Sequence, residues 1–308
     1  MRVAFAGNQE RGLVCLRAAI AAGHEIVGVV AHPAGSARGG VAEEGARIGV
    51  PVFRPQDVNH RSVVDSLAEL SADVLVLVGY GQILRQPLIG LYRHGCINLH
   101  GGRLPQYRGS SPMNWALING EREITLSAIV LDAGVDTGDV LGERTFAVGV
   151  DETIADVHAQ ANAFFPELLV EVLRGLDDGT DRRRQQEEAD AAYWPLRLPD
   201  DGLLVWDQVT ARQAHDRIRA LAPPYPGAFT FWRGRRVKLL RSVLEPRVIK
   251  GEPGRIYALG ANGMLVCATD RCLRITSAIL EDDGSDLSTV VSRYDEFATA
   301  RKALLGPV

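Results

Sequence analysis

The fold of this chain is decided by the stretch DVLVLV, which runs from Asp73 to Val78, and by the strand Cys96–Leu99 that follows it. Toward the N-terminus, short apolar runs alternate with amphipathic helical segments: runs at Val3–Ala6, Glu25–Ala31 and Pro51–Phe53, and helices near residues 13–22, 42–48 and 61–70. This β-α-β rhythm is typical of a mostly parallel sheet. We therefore predict an α/β, Rossmann-like sheet with helices on both faces.

The pattern changes beyond about residue 205. One helix is predicted at Ala211–Leu221, and short strands separated by glycines follow near residues 236–243, 254–258, 263–268 and 273–280. Several short strands of this kind suggest a small, OB-like β-barrel. The charge-rich segment Leu176–Asp190 is typical of a solvated connector. We expect two domains, residues 1–190 and 205–308, with a linker over about 176–204.

The composition is that of an ordinary soluble protein. The 308 residues carry a formal net charge of −4 and are 46% hydrophobic, which does not indicate a polyanion-binding protein. The N-terminus lacks the features of a secretion signal, and no apolar run approaches the roughly 20 residues that cross a bilayer. We expect a cytoplasmic protein without a membrane partner.

Two kinds of site are disfavoured by spacing. The four cysteines, Cys15, Cys96, Cys267 and Cys272, have no histidines at zinc-site spacing, so we expect reduced, partly buried thiols and no metal. The turn Gly7–Gly12 lacks the G-x-G-x-x-G spacing of a dinucleotide loop.

The strand at 96–99 ends in alternating polar residues. Because side chains alternate along a strand, Asn98 and His100 project to the same side, with Leu99 opposite. Ligands of parallel sheets sit beyond the carboxyl ends of the strands, where this amide and imidazole would lie. Taken alone, the Asn-x-His pair fits a structural role as readily as a catalytic one.

The loop DAGVDTG at residues 132–138 carries two carboxylates, Asp132 and Asp136. Gly134 and Gly138 are expected to permit tight turns and positive φ. Aspartates in loops cap turns more often than they catalyse. A carboxylate aimed at an imidazole, however, fixes its tautomer and stabilises its protonated form.

In order and spacing these motifs resemble the signature of one family, the 10-formyltetrahydrofolate-dependent formyltransferases. The motifs are NLHG at 98–101, LPxYRG at 104–109 and DxGxDxG at 132–138; supporting matches lie at 80–84, 114–116, 119–121 and 224–229. The family includes methionyl-tRNA formyltransferases and amino-sugar-nucleotide formyltransferases. The resemblance spans most of the chain and implies 10-formyltetrahydrofolate as co-substrate.

The resemblance also implies roles for individual residues. Asn98, His100 and Asp136 correspond to the catalytic trio, which agrees with a reaction that needs an oxyanion donor and a proton acceptor. Either His100 or Asp136 could be the formal base. The pterin ring is expected against Val78–Leu84 and the 132–138 loop, and the expected cofactor-binding residues are Tyr80, Gln82, Ile83, Leu84, Asp132 and Val135. Expected substrate-binding residues are Arg103, Tyr107, Arg108 and Gly109.

The acceptor amine is predicted less directly. Many relatives have Ser-Leu where this chain has Gly102-Arg103, and Arg103 could either meet an anionic substrate or lie exposed on a loop. Transfer-RNA enzymes of the family carry a basic insert after the second strand, whereas residues 32–40 are short and hold one strong base, and the run Arg233–Lys238 is the counterargument. We favour a small-molecule amine, an amino-sugar nucleotide, over methionyl-tRNA, hydroxyornithine or an inactive folate-binding module.

Overall fold

The computed structural model describes residues 1–33 and 40–300. Most of the 32–40 loop weighed above, residues 34–39, lies outside them. The chain divides into two compact units. Unit 1 comprises Met1–Pro112, Ile124–Phe146 and Ala159–Trp194, and unit 2 comprises Met113–Glu123, Ala147–His158 and the described chain from Pro195 onward. Two segments that precede residue 160 thus belong to unit 2, and the domain boundary near residue 190 stays a prediction.

Strands and helices alternate up to residue 78, as the periodicity predicts. The strands are β1 (Arg2–Gly7), β2 (Glu25–Val30), β3 (Val52–Phe53), β4 (Val74–Val78), β5 (Cys96–His100), β6 (Arg108–Gly109), β7 (Glu123–Val130), β8 (Val140–Ala147) and β9 (Tyr193–Trp194). The helices are α1 (Gln9–Ala21), α2 (Val41–Arg47), α3 (Arg61–Glu69), α4 (Pro112–Ile118) and α5 (Ile154–Asp178).

The main sheet has the strand order β3-β2-β1-β4-β5-β7-β8. Pairing is parallel from β3 through to β5, and β7 joins β5 in the antiparallel sense. All five residues of β4 are buried, which explains why the VLVLV of this stretch is apolar throughout. The predicted Rossmann-like, mostly parallel fold is confirmed, and the carboxyl ends of β1, β4 and β5 share one edge.

The sequence pattern missed two elements, α4 and β8. Strand β8 lies at the end of the sheet and buries only Val140 and Phe146, so its sequence is not distinctly apolar. Helix α5 continues through Pro166. Its buried face includes Ala161, Phe165 and Leu168.

Unit 2 contains α6 (Ala211–Leu221) and an antiparallel sheet. The strands are β10 (Ala228–Trp232), β11 (Arg235–Leu244), β12 (Ile256–Ala258), β13 (Met264–Cys267) and β14 (Cys272–Leu280), in the order β10-β11-β14-β13-β12. The segment 294–298 bonds to both outer strands: the N–H of Ala298 donates to Phe231, and that of Tyr294 donates to Ile256. This segment fills the gap between β10 and β12, as a small barrel requires.

The cysteines divide into two pairs, which corrects the expectation of reduced thiols throughout. Cys267 and Cys272 are directly opposite one another where β13 turns into β14, and their sulfurs form a disulfide. The hairpin register brings them together, and spacing alone does not reveal register. Cys15 and Cys96 are free and buried, and burial raises the pKa of each thiol to about 12.

Candidate active site

Strand β5 delivers Asn98 and His100 to the edge of the sheet that the sequence predicts. Asn98 is paired in register with Leu77 of β4 and Ile129 of β7, and His100 is paired with Ser127 of β7. Asn98 is half-buried, whereas only 6% of His100 is exposed. The backbone of both residues is therefore fixed by neighbouring strands.

The ring of His100 has one nitrogen fixed by the backbone and one directed at a carboxylate. Its Nε2 lies 2.6 Å from the carbonyl oxygen of Tyr107, and since a carbonyl only accepts, Nε2 carries the proton. Its Nδ1 lies 3.6 Å from Oδ2 of Asp136. In the neutral ring Nδ1 then holds the lone pair, so it can accept a proton, and the Asp136 carboxylate would stabilise the resulting imidazolium.

The two aspartates of the 132–138 loop have different tasks. Oδ1 of Asp132 accepts hydrogen bonds from the N–H of Gly134 at 2.9 Å and from Oγ1 of Thr137 at 2.5 Å, so this side chain holds the loop. Oδ2 of Asp136 accepts the N–H of Gly109 at 2.9 Å, the same oxygen that faces His100. The structure thus unites His100 and Asp136 and leaves Asp132 as a turn residue.

The two glycines of this loop, Gly134 and Gly138, do not take the positive φ that the sequence analysis expected. The residue with positive φ is Asp136 itself, at 54°, and neither Gly134 nor Gly138 has that conformation. Gly138 is required for space, because a Cβ there would lie 1.6 Å from the carbonyl oxygen of Val130. A left-handed aspartate at this position is a local strain of the kind found at functional sites.

Sequence reasoning missed Gln186, which the charged run at 182–188 hides. Its Nε2 donates to the carbonyl oxygens of Asp136 at 2.8 Å and Gly138 at 2.7 Å, and its Oε1 accepts from Nε of Arg108 at 3.1 Å. The segment predicted as a solvated connector therefore holds the loop that carries Asp136. No local signal distinguishes this glutamine from its neighbour Gln185.

The side chain of Arg108 is buried and is not open to a substrate. It is 1% exposed; its Nη1 donates to Glu188 at 2.9 Å and to the hydroxyl of Tyr193 at 2.7 Å. Together with Gln186 these partners direct the guanidinium toward the 186–193 segment. The predicted substrate contact of Arg108 stays a prediction, and its visible task is to hold that segment.

Two other predicted substrate residues, Tyr107 and Gly109, contact Trp194. Tyr107 stacks on Trp194 with ring centroids 5.7 Å apart, and Gly109 has a φ of 99° where a Cβ would lie 2.3 Å from the carbonyl oxygen of Trp194. Gly102 is equally confined, because a Cβ there would approach the Cβ of Tyr107 to 2.8 Å. A side chain at position 102 would therefore collide with the side chain of Tyr107.

Arg103 lies in an open groove of about 350 Å³ with mixed charge. Its Nε donates to Oγ1 of Thr125 at 3.3 Å. The ionisable residues that line the groove are Arg103, Arg184, Glu143, Glu187 and Asp190. Because carboxylates outnumber the guanidinium groups, this groove does not favour a phosphate, and the anionic-substrate hypothesis for Arg103 gains no support.

The segment predicted to face the pterin ring is fixed by its own side chains. Gln82 donates to the carbonyl of Pro55 at 3.1 Å and accepts the N–H of Val58 at 2.8 Å, and Leu84 is buried. Tyr80 packs edge-on against His32, and burial raises its pKa to about 12. These contacts leave the backbone of the segment in a defined position.

Two apolar side chains in the predicted cofactor region remain open. Ile83 is 73% exposed and Val135 is 52% exposed, although both belong to segments that are otherwise tied down. Exposed apolar residues on fixed loops are suited to covering a planar ring. Among the described residues there is no cluster of three or more metal-ligating side chains, and no helix within 1–33 and 40–300 could span a bilayer.

Comparison with known proteins gives consistent matches. The family model described as "Formyl transferase" matches residues 1–173, and "Formyl transferase, C-terminal domain" matches residues 198–285. Methionyl-tRNA formyltransferase of Geobacter metallireducens is 36% identical over 91% of this chain and 91% of its own length. That of Anaeromyxobacter dehalogenans (strain 2CP-1) is 37% identical over 91% and 93%.

Among solved structures, WlaRD, a sugar 3N-formyltransferase crystallised with dTDP and 5-N-formyl-THF, superposes with a TM-score of 0.69. The alignment covers 93% of this chain and 98% of that one at 15% identity. At this identity the likeness concerns the fold alone.

Proposed function

Because the chain belongs to the formyltransferase family and is itself a formyltransferase, we propose that it transfers a formyl group from 10-formyltetrahydrofolate to the methionine amine of initiator methionyl-tRNA. This acceptor is the one that sequence analysis placed second, behind an amino-sugar nucleotide. The cytoplasmic location expected from the sequence is part of the same proposal.

One observation carries the choice of acceptor. Relatives named methionyl-tRNA formyltransferase match at 36% and 37% identity over 91% of this chain, which includes parts of both the N-terminal and the C-terminal family regions. The solved sugar formyltransferase is 15% identical. This likeness supports a common fold and is no evidence for a common acceptor. The proposed catalytic trio lies entirely in unit 1. Sequence identity across the second domain therefore bears on the choice of acceptor more than on the formyl-transfer step.

The geometry supports a division of labour in the trio. 10-Formyltetrahydrofolate supplies a carbonyl carbon that an amine can attack. The amide of Asn98 can donate to the carbonyl oxygen as it gains negative charge. Nδ1 of His100 can take the proton that the attacking amine loses, because Nε2 is already occupied by Tyr107. Asp136, at 3.6 Å, stabilises the imidazolium until the proton passes to the departing folate nitrogen.

The ion pairs of unit 2 favour a second candidate acceptor, an amino-sugar nucleotide. The run Arg233–Lys238, which sequence analysis raised as a tRNA-binding surface, has acidic partners throughout. A surface neutralised in this way attracts polyanions weakly. That observation favours a small acceptor such as an amino-sugar nucleotide, and the two alternatives are separated by assay.

The test is a panel of acceptors. Purified protein is incubated with 10-formyltetrahydrofolate and, separately, initiator methionyl-tRNA, a dTDP-linked amino sugar and hydroxyornithine, and release of tetrahydrofolate is followed. We expect turnover with methionyl-tRNA and loss of that turnover in His100→Ala. Turnover with the amino sugar alone would reverse the choice of acceptor and keep the proposed roles of the trio.

A further inference from the structure

The side-chain amide of Gln186 connects segments of unit 1 that are far apart in the sequence. Its Nε2 donates both of its hydrogens, one to the carbonyl oxygen of Asp136 at 2.8 Å and one to that of Gly138 at 2.7 Å. Its Oε1 accepts from Nε of Arg108 at 3.1 Å. Both donors and the acceptor oxygen of this amide therefore have partners within unit 1.

The backbone that Gln186 contacts has an unfavourable local conformation. Asp136 has a φ of 54°, in the left-handed region that a residue with a Cβ rarely adopts. Such a conformation persists only where surrounding contacts fix it. The carbonyl groups of Asp136 and Gly138 lie on either side of Thr137, so the Gln186 amide fixes the direction of the chain immediately after the aspartate.

The contacts of Gln186 belong to a closed ring of hydrogen bonds, which we call the Gln186 ring. Oδ2 of Asp136 accepts the N–H of Gly109 at 2.9 Å, and Gly109 follows Arg108, whose Nε donates back to Gln186. The ring thus runs from the 132–138 loop through the Asp136 carboxylate to β6, and returns to the loop through Gln186. The backbone and the carboxylate of Asp136 are therefore fixed together.

Arg108 determines how the amide of Gln186 is oriented. Its Nη1 donates to Glu188 at 2.9 Å and to the hydroxyl of Tyr193 at 2.7 Å, and the side chain is buried, so the planar guanidinium has a fixed position. A guanidinium only donates and a backbone carbonyl only accepts. The amide of Gln186 must therefore direct its oxygen at Arg108 and its nitrogen at the loop.

The Gln186 ring fixes the distance between Asp136 and His100. The Oδ2 atom that belongs to the ring lies 3.6 Å from Nδ1 of His100. Displacing a group by about 1 Å from its productive position can lower a rate by about 10²-fold. We propose that Gln186 is a positioning residue for formyl transfer, which holds Asp136 in the left-handed conformation that directs its carboxylate at the histidine. The inference rests on the role proposed above for Asp136.

The experiment is a double-mutant cycle on formyl transfer by the full-length protein, with the acceptor that the panel identifies. Gln186→Met removes both donors at nearly the same side-chain length, and we expect kcat to fall about 10-fold while KM for 10-formyltetrahydrofolate changes less than about two-fold. In the Asp136→Asn background the same substitution should change kcat by less than about two-fold, because the carboxylate that Gln186 positions is already absent. Gln186→Asn, whose shorter amide cannot reach both carbonyls, is a second variant that should show the same pattern.

The matched control is Gln185→Met, which changes the exposed neighbouring glutamine and should leave kcat and KM unchanged. If Asp136→Asn lowers kcat, three results would refute the positioning role alone: a wild-type kcat in Gln186→Met, an equal loss of kcat in both backgrounds, or a raised KM with kcat kept. If Asp136→Asn leaves kcat unchanged, the proposed role of Asp136 is refuted and the inference with it. If the wild type formylates no acceptor of the panel, the proposed function is refuted, and again the inference with it.

Discussion

His100 in unit 1 and His215 in unit 2 are both buried, and in each the Nε2 atom donates to a backbone carbonyl. The acceptor is Tyr107 at 2.6 Å for His100 and Val150 at 2.8 Å for His215. Each histidine also has a carboxylate oxygen 3.6 Å from a ring nitrogen. Residue type, burial and a nearby aspartate are therefore the same in both places.

The two rings differ at Nδ1. His215 accepts the hydroxyl of Ser242 there at 3.0 Å, so both its nitrogens have neutral partners, and Asp151 approaches the nitrogen that already donates. Nδ1 of His100 has no hydrogen-bond partner among the described residues and faces Asp136. A histidine with one nitrogen fixed and one left for a proton can react, whereas a histidine with two satisfied nitrogens stabilises the fold.

The comparison is tested most severely by His100→Ala. We expect kcat for formyl transfer to fall by roughly 10²–10⁴, the range found for general acid–base groups. The free energy of unfolding should also fall, by about 1–3 kcal/mol, because the buried carbonyl of Tyr107 loses its partner. Steady-state kinetics and a melting curve on the same preparation check both statements, and an unchanged kcat would contradict the role given to this ring.

Asp136→Asn asks whether the carboxylate charge matters. An asparagine can still accept the N–H of Gly109 through Oδ1, so the loop should keep its place. The imidazolium of His100 loses its counter-charge, and we expect kcat to fall by about 10² while KM for the folate stays near the wild-type value. A rise in KM without loss of kcat would instead indicate a role in binding.

His215→Ala is the matching change in unit 2. It leaves the carbonyl of Val150 and the hydroxyl of Ser242 without their partner, so we expect the free energy of unfolding to fall by about 1–3 kcal/mol. Urea titration measures this loss, and kcat should be unchanged well below the midpoint. Asp151→Asn serves as its control: Asp151 is 55% exposed, and the change should be worth less than about 0.5 kcal/mol.

The smallest effect expected concerns pH. Burial lowers the pKa of His215 below its ordinary value of 6.5, so below that pH the unfolded chain binds a proton that the folded chain does not. Stability is then fully present above about pH 6.5 and declines as the pH falls, by at most about 1.4 kcal/mol per pH unit for one proton. The decline should be shallower in His215→Asn, with a residual part from His24, whose pKa burial also lowers. An identical slope in both proteins would contradict this account.

The sequence predicted the site to different depths. Asn98 and His100 followed from the alternation of a strand, and the pairing of His100 with Asp136 followed from a family resemblance. Gln186 did not follow from either, because its neighbours are equally polar and its partners are far away in the chain. Arg108 was expected near substrate because its motif is visible in the sequence. Its burial could not be predicted, because it depends on Glu188, about eighty residues later in the chain.

By itself the sequence determined the α/β rhythm and the change to short strands in the second domain, since both are local patterns, and its motifs indicated the residue types of the candidate site. Tertiary structure alone decided which ring nitrogen of a histidine stays available, which arginines have carboxylate partners and that Asp136 takes the left-handed conformation. The physical reason is that hydrogen bonding and desolvation depend on atoms brought together from distant parts of the chain. Local patterns specify the elements, and only their packing assigns each polar atom its partner.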